Sequence, residues 1–267
     1  MNTKFFNITW VSRRLRYLFS NPKYFYLYFY GKPEKVFSAL TDLPESHYYK
    51  LREELDSDSN FTEELREKTI KFMNVDFRLN MDHYFLYSLV RTIKPSVILE
   101  TGVFHGYYTA CFLKGIYDNY RDGSAEGKLI SIDLPAYESI SESTTESPGM
   151  THLPSGSEPG WVIPDYLRDR WQLNIGDSRE LLPKVLDKEK NISLFFHDSL
   201  HTYSHMMYEF EKVYPVLSHG AYLMTHDVHW NHAFRHFVKR HGQQDFSFHG
   251  FGISRKIINN LPPVTFS

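Results

Sequence analysis

From about residue 82 onward the chain alternates short apolar runs with amphipathic ones. That alternation predicts an α/β doubly wound domain over 82–267, with a mostly parallel sheet covered by helices on both faces. A second observation agrees with it. An acid stands at or just beyond the end of each of five strand candidates, which places all five on one edge of such a sheet. A third is the long polar stretch 135–164, which interrupts the alternation once and reads as a lid-like insertion.

The elements follow in order. Residues 1–81 read as a basic, aromatic and helical extension. Within it, residues 1–33 carry Lys4, Arg13, Arg14, Arg16, Lys23 and Lys32 and no acid, and Tyr24–Tyr30 reads YFYLYFY. Such a segment either makes peripheral contact with an anionic membrane surface or packs on the body or on a second subunit, as in a homodimer. EELREKTIKFM is the clearest helix before residue 80. Asp82–Ile93 places Leu86, Leu89, Val90 and Ile93 on one helical face, and Lys94-Pro95 stops it. Strands are expected at Val97–Glu100, Leu129–Asp133, Trp171–Ile175, Ile192–His197 and Ala221–Thr225. Helices are expected at Gly106–Tyr120, Arg179–Val185, Thr202–Leu217 and Asn231–His241, the last ending on Gly242. DFSFHGFGISRKI reads as a closing hairpin.

Composition excludes several classes. A net charge of -2 gives no support to a protein held on nucleic acid by phosphate contacts. The single cysteine, Cys111, makes no disulfide framework, so a reducing, cytoplasmic setting is expected. No apolar run reaches the ~18 residues of a membrane span, and no signal-peptide pattern is expected at the start.

In doubly wound sheets ligands sit beyond the carboxyl ends of the strands, where the strand order reverses. The first strand ends in Glu100-Thr-Gly102-Val-Phe-His-Gly106. Gly102 permits close backbone approach, and Gly106 opens a helix whose free N–H groups face the ligand. The glycines are four apart and follow an acid, unlike the dinucleotide pattern. An acid there suits a ligand with an ammonium or sulfonium charge better than a diphosphate. Asp133 ends the second strand, where a carboxylate could grip a ribose diol. Gly176-Asp177-Ser178 follows the third, Asp198 the fourth and Asp227 the fifth.

Taken together, Glu100-x-Gly102-x-x-x-Gly106, the Asp133 strand end, Gly176-Asp177-Ser178 and FFHDSLHTYSHMMYEF resemble class I S-adenosylmethionine-dependent methyltransferases, and most closely methyltransferase family 24. The resemblance covers about residues 82–242. It implies a Rossmann-like seven-stranded sheet, S-adenosylmethionine as cofactor with its methionine end near Glu100 and Gly102, Asp133 on the ribose hydroxyls and Asp177 on the adenine side. It also implies transfer to oxygen on a small-molecule acceptor, such as a sugar or secondary-metabolite hydroxyl.

Such transfer needs a positioned nucleophile and a base. His201 is the expected base, with Asp198 orienting it or the acceptor. Some O-methyltransferases of this fold hold a divalent cation between carboxylates after the fourth and fifth strands. Asp198 and Asp227 stand at those places, with Asn231 four residues further on, so Mg²⁺ is a second expectation. Asp227-Val228 replaces the adjacent Asp-Asn pair of the best-known metal-dependent relatives. Of the remaining histidines, His197, His205, His226, His229, His232 and His236 are expected to be mostly surface or supporting residues. No zinc signature accompanies them. Two other readings stay open: a scaffold that keeps the cofactor fold without turnover, and a nicotinamide-dependent oxidoreductase, against which the glycine spacing argues.

Overall fold

A computed structural model describes residues 31–134, 153–154 and 156–257. The aromatic segment up to Tyr30, residues 135–152 and 155 of the insertion, and residues 258–267 lie outside the described residues. Helices α1 (Pro33–Thr41), α2 (Glu45–Asp56), α3 (Ser59–Met73) and α4 (Met81–Ile93) precede the first strand. After them come β1 (Val97–Thr101), α5 (Tyr107–Arg121), β2 (Lys128–Asp133), β3 (Trp171–Ile175), α6 (Ser178–Lys188), β4 (Ile192–His197), α7 (Tyr203–Val213) and β5 (Leu217–Thr225). The chain then forms α8 (Ala233–Arg240), β6 (Asp245–Phe248) and β7 (Phe251–Arg255).

The strands form one seven-stranded sheet in the order β3-β2-β1-β4-β5-β7-β6. Strands β1 to β5 are mutually parallel, whereas β7 runs antiparallel to β5 and pairs with β6 as the expected hairpin. The register lines up the functional edge. Thr101 pairs with Ile132 and His197, Asp133 with Ile175, and His197 with Thr225, so the five parallel strands end in one row. The chain order reverses between β1 and β4, which is where such sheets open a crevice.

Local chemistry sets the element ends. The Asn80 side chain accepts from the Asp82 and His83 amides, and His83 Nδ1 accepts from the Asn80 amide, which caps α4. Lys94 closes that helix in the left-handed region (φ 47°), ahead of Pro95. Several boundaries differ from the sequence expectation, among them the start of β5 (Leu217 against Ala221) and the end of α6 (Lys188 against Val185). The helix expected to run to Leu217 ends at Val213, because Pro215 enters a 3₁₀ turn over Tyr214–Val216 and Leu217 already pairs with Ile192.

Helices α1 to α4 share their core with the sheet. Phe37, Tyr48, Leu55, Phe61 and Leu65 are buried in the same cluster as Phe85, Ile98, Phe112 and Phe196. A second cluster on the other face joins Leu99, Ile130, Leu182, Phe195, Phe210 and Phe237. Buried Lys114 on α5 pins the extension, with Asp58 at 2.8 Å and Asp118 at 2.6 Å. Among the described residues no helix is long and apolar enough to cross a membrane.

Candidate active site

A cavity of about 460 Å³ opens along the row of strand ends. Gly102, Asp133, Gly176, Asp177, Ser178, Asp198, His201 and Asp227 all line it. Two expected residues stand behind the wall. Gly106 precedes α5 with φ 95°, where a Cβ would come within 2.7 Å of Gly160 Cα. Glu100 is 1 % exposed under the β1 loop, where Ser131 Oγ donates to it at 2.6 Å and Thr109 Oγ1 at 3.0 Å. Burial pushes its carboxyl up to about 8, and the two hydroxyls offset only part of that.

The half of the cavity over β1 to β3 is built mainly from backbone. Gly102 adopts φ 87°, and a Cβ there would overlap the backbone of Asp198, so glycine lets the β1 and β4 loops touch. Asp133 clasps the same loop: one oxygen accepts from the Val103 and Phe104 amides at 2.9 and 2.7 Å, the other from Leu134 at 2.8 Å. The firm tail of the insertion closes onto this loop through Gly160 N to Phe104 O (2.8 Å) and Trp161 Nε1 to His105 Nδ1 (2.8 Å). Burial holds His105 down at about 4, so it stays a neutral acceptor. Asp177 caps α6 by accepting from the Arg179 amide at 2.7 Å, and Ser178 opens that helix.

The other half is built from side chains. His226 Nδ1 stands 3.3 Å from Asp198 Oδ1 and 3.8 Å from Asp227 Oδ2. Burial works against its charge, yet the Asp227 and Asp198 carboxylates together hold the imidazole up at about 9. For Asp198, burial opposes ionisation, but His226 and His201 more than offset it and hold the carboxyl down at about 2. His201 Nε2 lies 3.5 Å from Asp198 Oδ1 without a hydrogen-bond partner, and its ring packs on Trp230. Asp227 sits in the left-handed region at φ 54°, a backbone strain of the kind that collects at working sites. Tyr108 and Phe251 wall His226 from the α5 and β7 sides.

Of the histidines expected at the surface or in support, His197, His205 and His229 are buried; His205 lines the cavity with His201, and His197 packs against both rings. Under them lies Glu209 on α7, which is fully buried and receives His197 Nδ1 at 2.7 Å, His205 Nε2 at 2.8 Å, Thr101 Oγ1 at 2.6 Å and Ser199 Oγ at 3.1 Å. Burial alone would raise its pKa, but the histidine hydrogen bonds hold it well below the usual carboxylate range. Reading the sequence missed Glu209 and Tyr108 because each falls at an ordinary helical position. His226 was visible as one histidine among many, with no signal marking it.

The metal expectation meets a different arrangement. Among the described residues no group of three or more His, Cys, Asp or Glu side chains is placed to hold a metal ion. His226 stands against both carboxylates. Asn231, the expected third oxygen ligand, gives its carbonyl to the Ala233 amide and its amide to the His201 carbonyl. This donor set does not fit a divalent cation.

Comparison with known proteins bears on the class. A family model described as a methyltransferase domain, that of methyltransferase family 24, matches residues 99–228. Residues 99–228 thus match a methyltransferase domain, on the fold of class I S-adenosylmethionine-dependent methyltransferases. No curated protein matches by sequence. Among solved structures the chain is similar to the O-methyltransferase TomG of Streptomyces achromogenes, in complex with SAM, at 14% identity and TM-score 0.51, covering 75% of this chain and 91% of that one. It is also similar to a methyltransferase from Geobacter sulfurreducens (15% identity, TM-score 0.50, covering 75% and 90%) and to cofactor-bound Rv0187 from MTB (13%, 0.50, covering 74% and 90%). Likeness at such identity speaks for the fold.

The residues present fit S-adenosylmethionine, since the Gly102 turn and the carboxylates that follow β2 to β5 line one cavity along the strand ends. Bound there, the cofactor supplies an electrophilic methyl on a sulfonium.

Proposed function

We propose that the protein methylates a hydroxyl oxygen of a small polar acceptor, with His201 as the base. The observation that carries this reading is the His201 ring. It is buried in the cavity wall, and its Nε2 lacks a hydrogen-bond partner beside the Asp198 carboxylate. A neutral imidazole nitrogen there can take the proton of an acceptor hydroxyl as its oxygen attacks the methyl carbon. Asp198 then lies next to the imidazolium that forms and stabilises it. His226, held protonated between Asp198 and Asp227, can donate to a neighbouring oxygen of the acceptor and orient it. Asp133, Asp177 and Ser178 would grip the nucleoside part of the cofactor, with Gly102 and Gly176 lining the cavity beside it. Glu100 supports the β1 end from beneath. Tyr108 and Trp230 offer aromatic walls suited to the apolar face of a sugar or a fused ring.

The test is methyl transfer from S-adenosylmethionine to a panel of sugar, polyol and phenolic hydroxyl acceptors, run with EDTA and with Mg²⁺. The reading expects a methyl ether product and rates unchanged by EDTA. Methylation confined to amine acceptors would remove the oxygen assignment. Loss of turnover in EDTA, restored by Mg²⁺, would return Asp198 and Asp227 to metal ligation. Binding of S-adenosylhomocysteine without transfer to any acceptor would favour a scaffold.

A further inference from the structure

The Glu209 network has a stereochemical consequence for the cavity wall above it. His205 Nε2 faces the ionised Glu209 Oε1 at 2.8 Å, so that nitrogen carries the ring proton and is a donor. The same nitrogen lies 3.1 Å from Ser178 Oγ. A protonated imidazole nitrogen has no lone pair, so the Ser178 hydroxyl can only accept from it. Its own hydrogen is therefore turned away from His205, toward the cavity that Ser178 lines. Ser199 is set the opposite way: its hydroxyl donates to Glu209 Oε1 at 3.1 Å, and its oxygen lies 3.3 Å from the same His205 nitrogen. One buried carboxylate thus fixes the hydrogen-bond polarity of two serines it does not adjoin in sequence.

Ser178 follows Asp177 at the adenine side of the site. An acid there accepts from an exocyclic amino group, and a hydroxyl donor beside it meets a ring nitrogen that bears no hydrogen. Adenine presents that pair. Hypoxanthine presents the reverse, a carbonyl where the amino group was and an N–H at the ring nitrogen. We propose that Glu209 is a positioning residue that, through His205 and Ser178, makes the nucleoside subsite selective for adenine over hypoxanthine. Replacing Glu209 by the isosteric amide removes the reason for His205 to keep its proton on Nε2. The ring can then take the other tautomer, and Ser178 is free to donate to it and present a lone pair to the cavity instead.

The experiment needs no acceptor. Calorimetric titration would compare S-adenosylhomocysteine with S-inosylhomocysteine on the wild type, Glu209→Gln and Ser178→Ala, with thermal melts of each. The wild type is expected to prefer the adenosyl compound at least about tenfold, the size of one or two well-placed hydrogen bonds. In Glu209→Gln the adenosyl compound should still bind, with the preference reduced to about threefold or less, and Ser178→Ala should show the same collapse. A purely structural role would weaken both compounds by one common factor, so an unchanged ratio in folded Glu209→Gln overturns the proposal. If Glu209→Gln does not fold, Ser178→Ala decides: an unchanged ratio there overturns it, and a collapsed ratio supports it. A wild-type ratio near one also overturns it. A failed oxygen assignment would leave all of these ratios untouched.

Discussion

The two halves of the cavity are made differently. Over the ends of β1 to β3 the wall is largely backbone: a glycine that admits the β4 loop, amides gathered by Asp133, and a helix start capped by Asp177. Over the ends of β4 and β5 it is imidazole and carboxylate, with His201, His226, Asp198 and Asp227 joined by contacts of 3.3 to 3.8 Å. Backbone geometry suits a ligand whose shape never changes, such as a cofactor. A titratable cluster suits the step in which a proton must move and a new substrate must be told from others. Binding and chemistry should therefore be separable by mutation.

His201→Ala is the largest expected break. It should lower kcat by about 10²- to 10⁴-fold, the usual worth of a positioned base, and leave the Kd for S-adenosylhomocysteine within about threefold. Equal losses in both would place His201 in the cofactor half. Asp133→Ala comes next, and in the opposite sense. Losing a carboxylate that gathers three backbone amides should weaken S-adenosylhomocysteine by about 10- to 100-fold in a calorimetric titration, with a smaller effect on kcat at saturation.

Glu100→Gln sharpens the contrast through pH. A carboxyl raised from 4.5 to about 8 binds a proton in the folded state that the unfolded chain has already released. Between those values its contribution to stability falls as pH rises, by up to about 1.4 kcal/mol per unit. The amide cannot ionise, so melting curves of wild type and variant should diverge from pH 5.5 to 7.5, with the variant increasingly the more stable. Parallel curves would mean that Glu100 is ionised in the fold. The smallest effect belongs to Trp161→Phe, which removes the bond to His105 Nδ1 and should cost about 1 kcal/mol in a denaturant titration, with no change in kcat. A fall in kcat would show that the closed tail also orders the chemistry.

Most of the fold was legible along the chain, for a definite reason. Ile192–His197 runs as a strand over the residues its apolar pattern predicts, because a strand buried in a parallel sheet leaves a continuous apolar run, whereas Trp171–Ile175 at the sheet edge alternates apolar and polar residues. Pro215 escaped that logic, since its neighbours Val213, Val216 and Leu217 keep an apolar helical spacing across a break that the proline and the β5 pairing impose. The cavity wall over β1 to β3 was legible for a similar reason: glycines and acids at strand ends are local signals with local causes. His201 and Asp198 were legible because they are close in sequence on one strand-end loop.

Along the chain alone, then, the alternation of strands and helices, the row of acids on one sheet edge and the glycine turn after β1 were determined. Each depends on residues a few positions apart. The tertiary structure decided that Glu100 lies beneath the wall, that His226 stands between two carboxylates from different strands, and that Asn231 caps a helix instead of facing the cavity. It also decided that Glu209, from the middle of α7, joins β1, β4 and the serines above them. These are meetings of side chains from distant segments. Their charges and protonation follow from burial and neighbours, which exist once the sheet has brought the segments together.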